Sequence, residues 1–324
     1  MAATLLIGSC SRTPTAPTPP PPPPPPPVVA DPPSLSCGPE IFRATLNTAG
    51  VAVTFDLPTA SQGQGSVTVS CAPQSGTEFP PGTTPVTCTA VDALSRTASC
   101  TFSVTVVRVP QLSRTQFLAF GDSITAGEVT VPVGAGGRDL IVRQVVVPAA
   151  SYPSVLLRTL QGRYSLQSDA LAVANFGLGG ERAINASNRF FGALNTVRPE
   201  AVLLMEGYND IPGGQDGAAS GAAAEIRAMA AEARLRGMRV FIATLAPPRP
   251  GGSRAIGQIY VDDYNSRMRA VASQEGAVLV DVYGALLTDV QRYIGIDGLH
   301  PTEAGYARIA DAFFQAIQGA LEVR

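Results

Sequence analysis

From Arg114 to the C-terminus, short apolar runs alternate with longer stretches of helix-forming composition. The runs are FLAF (117–120), LAVAN (171–175), AVLLM (201–205), VFIAT (240–244) and AVLVD (277–281). Segments this short and this uniformly apolar read as strands buried on both faces. Among the intervening stretches, AAAEIRAMAAEARLRG closes on a glycine stop. YARIADAFFQAIQGAL sets Ile309, Phe313, Ile317 and Leu321 at four-residue intervals on one helical face. The alternation predicts an α/β fold, a parallel five-stranded sheet covered on both sides by helices. Ligands of such sheets bind beyond the carboxyl ends of the strands, so function is sought there.

Polar and glycine-rich residues occupy those ends. GDSIT after the first strand puts Ser123 on the turn into a helix, FGLGGE after the second ends in a turn at Gly180, and EGYNDIPGG after the third carries Asn209. DGLHP (297–301) holds His300, the single histidine of the 324-residue chain, three residues after Asp297. Taken singly, each has a plainer reading. A serine before a helix usually caps it, glycines serve turns, and a lone histidine is more often packed than catalytic. Together they supply what acyl transfer needs: a nucleophile, a base, and donors aimed at a developing oxyanion. Ser123 needs a base, and His300 is the one imidazole that could serve. Asp297 can reach the ring's other nitrogen, fixing its tautomer and stabilising the imidazolium. Pro301 keeps the following helix from starting earlier, leaving the Asp-x-x-His turn outside it. Asp122 and Asp210 read as structural.

The blocks FGDSIT, NFGLGGE, GYND and DGLHP, in that order across residues 114–324, resemble those of the SGNH (GDSL-motif) hydrolases. The resemblance implies a flavodoxin-like three-layer sandwich. It also implies a triad of Ser123, His300 and Asp297, and an oxyanion hole of the Ser123 N–H, the Gly180 N–H and the Asn209 side-chain amide. Gly177 and Gly179 are alternative registers of the glycine block. The G-x-S-x-G elbow of α/β-hydrolases is absent.

Composition closes other routes. All 23 basic residues are arginine. Without lysine there is no Schiff-base enzyme, P-loop NTPase or Ser-Lys hydrolase. One histidine excludes a histidine metal cluster, and neither metal nor cofactor is expected. A net charge of −2 with no basic run makes nucleic acid a poor partner. No apolar run reaches the roughly 18 residues of a membrane span.

The N-terminal third has another character. LLIGSC, ending at Cys10, resembles the lipobox of a bacterial lipoprotein, with residues 1–10 as signal remnant and Cys10 as the lipidated residue. Residues 11–32, with nine consecutive prolines from Pro19 to Pro27, read as a semi-rigid polyproline II linker. From 33 to 109, alternating runs such as VAVTF, SVTVS, PVTCTAV and CTFSVTV predict a small immunoglobulin-like β-sandwich. SGTEFPPGTTPVTCTAVDALSRTASCTFSVTV (75–106) resembles the C-terminal half of a hyalin repeat (HYR) domain, with DALSR where Gly-Asn is usual in the last hairpin turn. That resemblance implies a spacer or adhesion role. Cys37, Cys71, Cys88 and Cys100 all fall in this segment, which predicts two disulfides in an oxidising compartment, with three pairings open.

The expectation is an exported, membrane-tethered carboxylic ester hydrolase acting on a small-molecule or polysaccharide-linked ester. A carbohydrate O-acetyl esterase of the same superfamily would share the site. A cell-surface adhesion protein with an inactive hydrolase fold is the rival from another class. Two segments are candidate rims of the site, or passive loops. EVTVPVGAGGRDLIVRQVVVPAAS, between Gly127 and Tyr152, reads as an insertion beside the nucleophile, and APPRPGGSR (246–254) ends the fourth strand.

Overall fold

A computed structural model describes residues 28–133, 142–211 and 217–323. It divides into two compact units, one of residues up to Phe42 with Ala52–Thr105, the other of Arg43–Val51 with Val106 onward. Cys10, the Pro19–Pro27 run and residues 134–141 of the first rim segment lie outside the described residues.

The N-terminal β region is built on a four-stranded sheet in the order Ile41–Thr45, Thr97–Arg108, Gly82–Val91, Thr68–Ala72. Alternate residues of its long strands point inward, burying Val86, Cys88 and Ala90 on one and Val104 and Val106 on the next. VAVTF contributes only the strand Val51–Ala52; beyond it Val53 N–H donates to Thr77 O (3.1 Å) and Phe55 N–H to the Ser75 hydroxyl (2.8 Å). The DALSR turn closes on Asp92, whose Oδ1 accepts from the Leu94 and Arg96 N–H groups at 3.0 and 2.9 Å. Of the three pairings open in the sequence, the disulfides are Cys37–Cys100 and Cys71–Cys88. The second joins residues directly opposite on neighbouring strands.

The larger unit holds five parallel strands: β1 (Gln116–Gly121), β2 (Ala172–Gly177), β3 (Ala201–Met205), β4 (Arg239–Ala243) and β5 (Val278–Val280). Their order is β2-β1-β3-β4-β5, the doubly wound flavodoxin-like arrangement. All five residues of β3 are buried, as expected of a strand covered on both faces. The longer helices are α1 (Tyr152–Arg163), α2 (Ala183–Val197), α3 (Ala218–Leu235), α4 (Gln258–Glu275) and α5 (Glu303–Leu321). Helices α1 and α5 pack on each other, while α2, α3 and α4 pack in series. The four-residue stripe of α5 (Ile309, Phe313, Ile317, Leu321) is buried, and Phe313 stacks on Tyr152 of α1 at 4.9 Å between ring centres.

The first rim segment is not an irregular loop. Its alternating β-branched residues form an antiparallel hairpin, Glu128–Pro132 against Val142–Val146, with Glu128 opposite Val146.

Candidate functional site

Strand β1 stops at Gly121, and Asp122 caps the single helical turn Ser123–Ala126 by accepting from Ile124 N–H at 3.0 Å. An aspartate is a favoured N-cap because its oxygen satisfies an orphan donor of the first turn. This fixes the backbone carrying Ser123, which is 5% exposed. Gly127 closes the turn in the left-handed region (φ 95°), its N–H donating to Ser123 O.

The segment Ile294–Pro301 folds back on itself, with Gly295 N–H donating to His300 O at 2.7 Å. Within it, Asp297 Oδ1 accepts from the backbone N–H of Leu299 (3.2 Å) and of His300 (3.1 Å). Asp297 Oδ2 lies 2.6 Å from His300 Nδ1. With that nitrogen protonated, Nε2 is left as acceptor for the Ser123 hydroxyl at 3.0 Å. His300 and Asp297 are buried. Burial works to raise the Asp297 pKa, but hydrogen bonds from the His300 ring and Leu299 N–H outweigh it and hold the carboxyl at about 2. Helix α5 begins only after Pro301, with Thr302 as its cap.

The second rim candidate braces this turn through its backbone. Arg254 N–H donates to Asp297 O (2.7 Å) and Arg249 N–H to Gly298 O (3.1 Å). Gly252 lies so close that a Cβ there would collide with the peptide between Asp297 and Gly298.

After β2, the glycine turn leads to Glu181. Gly180 adopts φ 76° with open space where a Cβ would be, so backbone conformation demands glycine there. At Gly179 a Cβ would meet the flexible end of the Glu128 side chain at Oε1, so a side chain there would push that carboxylate aside. Asn209, after β3, donates from Nδ2 to Glu181 O at 2.8 Å, which orients the amide and leaves its second hydrogen for another acceptor. Glu181 is in turn gripped by Arg189 of α2, which also reaches Phe176 O (2.8 Å) and Gly121 O (3.3 Å). Asp210 caps α2 by accepting from the N–H groups of Ala183 (2.7 Å) and Ile184 (3.3 Å). Asp122 and Asp210 thus both hold helix starts, the structural role read for them.

Two acids escaped the sequence reading. Glu128, first residue of the hairpin, places Oε2 at 3.5 Å from His300 Nε2. Glu206 directly follows β3, with both carboxylate oxygens buried and without a hydrogen-bond partner among the described residues. Burial, then the charges of Asp122, Glu181 and Asp210, push its pKa well up. Burial likewise pushes Asp122 up to about 7. The only signal of Glu206 was an acid directly after an apolar strand, and of Glu128 a charge opening a β-branched run. Among the described residues no group of three or more metal-ligating side chains converges.

A buried hydroxyl–imidazole–carboxylate chain of this geometry can deprotonate its hydroxyl as it attacks a carbonyl. Comparison with known proteins bears on that chemistry. Residues 29–106 match the model of the HYR domain. A comparison with curated protein sequences returns no match. Among solved structures, a lipase/acylhydrolase from Enterococcus faecalis superposes with a TM-score of 0.53 at 20% identity, over 64% of this chain and 97% of that one. LAE5, an alpha/beta hydrolase enzyme from the metagenome of Lake Arreo, Spain, does so with 0.50 at 24%, over 64% and 95%. Both show the same fold. Residues 119–308, more than half of the chain, match the GDSL-like lipase/acylhydrolase model, and the protein belongs to that family.

Proposed function

We propose that the protein is an exported serine ester hydrolase cleaving carboxylic esters through Ser123, His300 and Asp297. The observation that supports this most is the continuous chain from Asp297 Oδ2 through both ring nitrogens of the lone histidine to Ser123 Oγ. In this reading His300 Nε2 takes the Ser123 proton as Oγ attacks the ester carbonyl, and Asp297 stabilises the imidazolium. The N–H groups of Ser123 and Gly180 and the free amide hydrogen of Asn209 receive the oxyanion. His300 then returns the proton to the departing alcohol, leaving an acyl-serine. Water attacks that ester with His300 again as base, releasing the acid and restoring Ser123. No cofactor enters any step.

The HYR domain and the two disulfides fit an extracellular or cell-surface setting. Lipidation at Cys10, with the proline run lifting the enzyme from a membrane, completes the proposal. Turnover of p-nitrophenyl acetate by the full chain, absent in Ser123→Ala, tests it. A wild-type protein without esterase activity, or a Ser123→Ala variant with near-native activity, overturns it.

A further inference from the structure

We propose that Glu128 sets the charge preference of the site, favouring esters whose alcohol part carries a hydrogen-bond donor or a positive charge and disfavouring those with a negative charge there. The inference rests on the esterase reading above.

Glu128 directly follows Gly127, whose N–H is bonded to Ser123 O, so its backbone is tied to the nucleophile's own helical turn. Tyr306 of α5 donates to Glu128 O at 2.6 Å, and pairing with Val146 fixes the strand direction. The side chain is 18% exposed, with Oε2 at 3.5 Å from His300 Nε2 and Oε1 against Gly179. It therefore spans the gap between the base and the glycine turn. Glu181 has Arg189 as ion partner, whereas Glu128 pairs with no arginine among the described residues.

The position relative to Nε2 decides which half of a substrate meets this carboxylate. Nε2 must return its proton to the alcohol oxygen, which requires that oxygen within hydrogen-bond reach, about 3 Å. An acid 3.5 Å from the same nitrogen is then within about 6.5 Å of that oxygen, close enough for its charge to act on the alcohol moiety. A hydroxyl, amide or ammonium there gains an acceptor, and an anion is repelled. Gly179 bears on the same contact, since a Cβ there would displace Glu128 Oε1.

The test uses the full chain and three phenyl acetates with a meta carboxylate, a meta carboxamide or a meta trimethylammonium group, each rate divided by its hydroxide-catalysed rate. In the wild type, kcat/KM should rank cation, neutral, anion, spanning about tenfold or more at low salt. The spread should shrink as salt is added. Glu128→Gln should bring the three ratios near unity. Gly179→Ala, which keeps the acid but displaces its flexible end, should narrow the spread as well. If wild type shows no spread, or Glu128→Gln keeps it, Glu128 does not set specificity, although the esterase reading stands. If the wild type hydrolyses neither these esters nor p-nitrophenyl acetate, the esterase reading fails and this inference with it.

Discussion

Asp297 divides its two carboxylate oxygens between the main chain and the ring of His300: Oδ1 holds the backbone N–H groups of Leu299 and His300, and Oδ2 holds Nδ1. One side chain thus shapes the turn and orients the imidazole. The two duties separate by substitution. Asp297→Asn keeps an oxygen for the backbone but presents an amide N–H to the ring, forcing the tautomer whose Nε2 cannot accept the Ser123 proton. We expect kcat to fall by about 10⁴ with Tm nearly unchanged. Asp297→Ala should lose activity and, in addition, about 1 kcal/mol of stability as the turn loses its cap. Equal Tm losses in the two variants would contradict this division.

Substitutions at Asn209 and at the arginine behind it should show a graded response if Asn209 receives the oxyanion. Asn209→Ala should lower kcat on p-nitrophenyl acetate by about 10²–10³ with little change in KM. Arg189→Lys keeps the charge but cannot grip Glu181 and two carbonyls at once, so Asn209 loses its fixed orientation. Its kcat should lie between those of wild type and Asn209→Ala, and a value below Asn209→Ala would show that Arg189 acts by another route.

Stability should carry opposite pH signatures from two aspartates. Asp297 has its folded pKa lowered from 3.8 to about 2, so it stabilises the fold above 3.8, and that stability is lost as pH falls through 2. Asp122 has its folded pKa raised from 3.8 to about 7. At low pH both states are protonated and nothing is lost; as pH rises the unfolded chain ionises first, and stability falls until about pH 7. Asp122→Asn keeps the oxygen that caps Ile124 and cannot ionise. Its Tm relative to wild type should therefore climb between about pH 4 and pH 7, and parallel Tm curves would refute the assignment.

Reduction should spare the chemistry. Both disulfides join residues of the N-terminal β region, and residues 101–324 contain no cysteine. Under reductant the full chain should keep kcat/KM on a soluble ester, while the HYR domain loses about 2–4 kcal/mol per disulfide. A separate lower-temperature transition in calorimetry, with activity unchanged below it, is the expected record.

What was legible depended on how local its cause is. AVLLM coincides residue for residue with β3 because both faces of that strand are buried. The runs expected for β1, β2, β4 and β5 are displaced by a residue or two at their ends, where hydrogen bonding and not hydropathy decides. Asp297 and His300 could be read because their turn closes over three residues. Ser123 meets them only across 177 residues, and the glycine and GYND blocks carried that inference. Glu128 was not legible. Its opening position in EVTVP looks like a solvated charge, and its meaning comes from His300, 172 residues later in the chain, arriving beside the turn that carries Ser123. The cysteine pairing was hidden for the same reason, since it follows from which strands become neighbours.

The contact of Gly252 with the Asp297–Gly298 peptide bears on how such an enzyme can change through descent. Loops at strand ends are the usual place for new substrate ranges to arise, because they vary without disturbing the core. Here residues 249–254 are hydrogen-bonded to the turn of Asp297, so a deletion or a bulkier residue in them moves Asp297 and His300 as well. A library randomised over that stretch would be depleted of active members whatever substrate is offered.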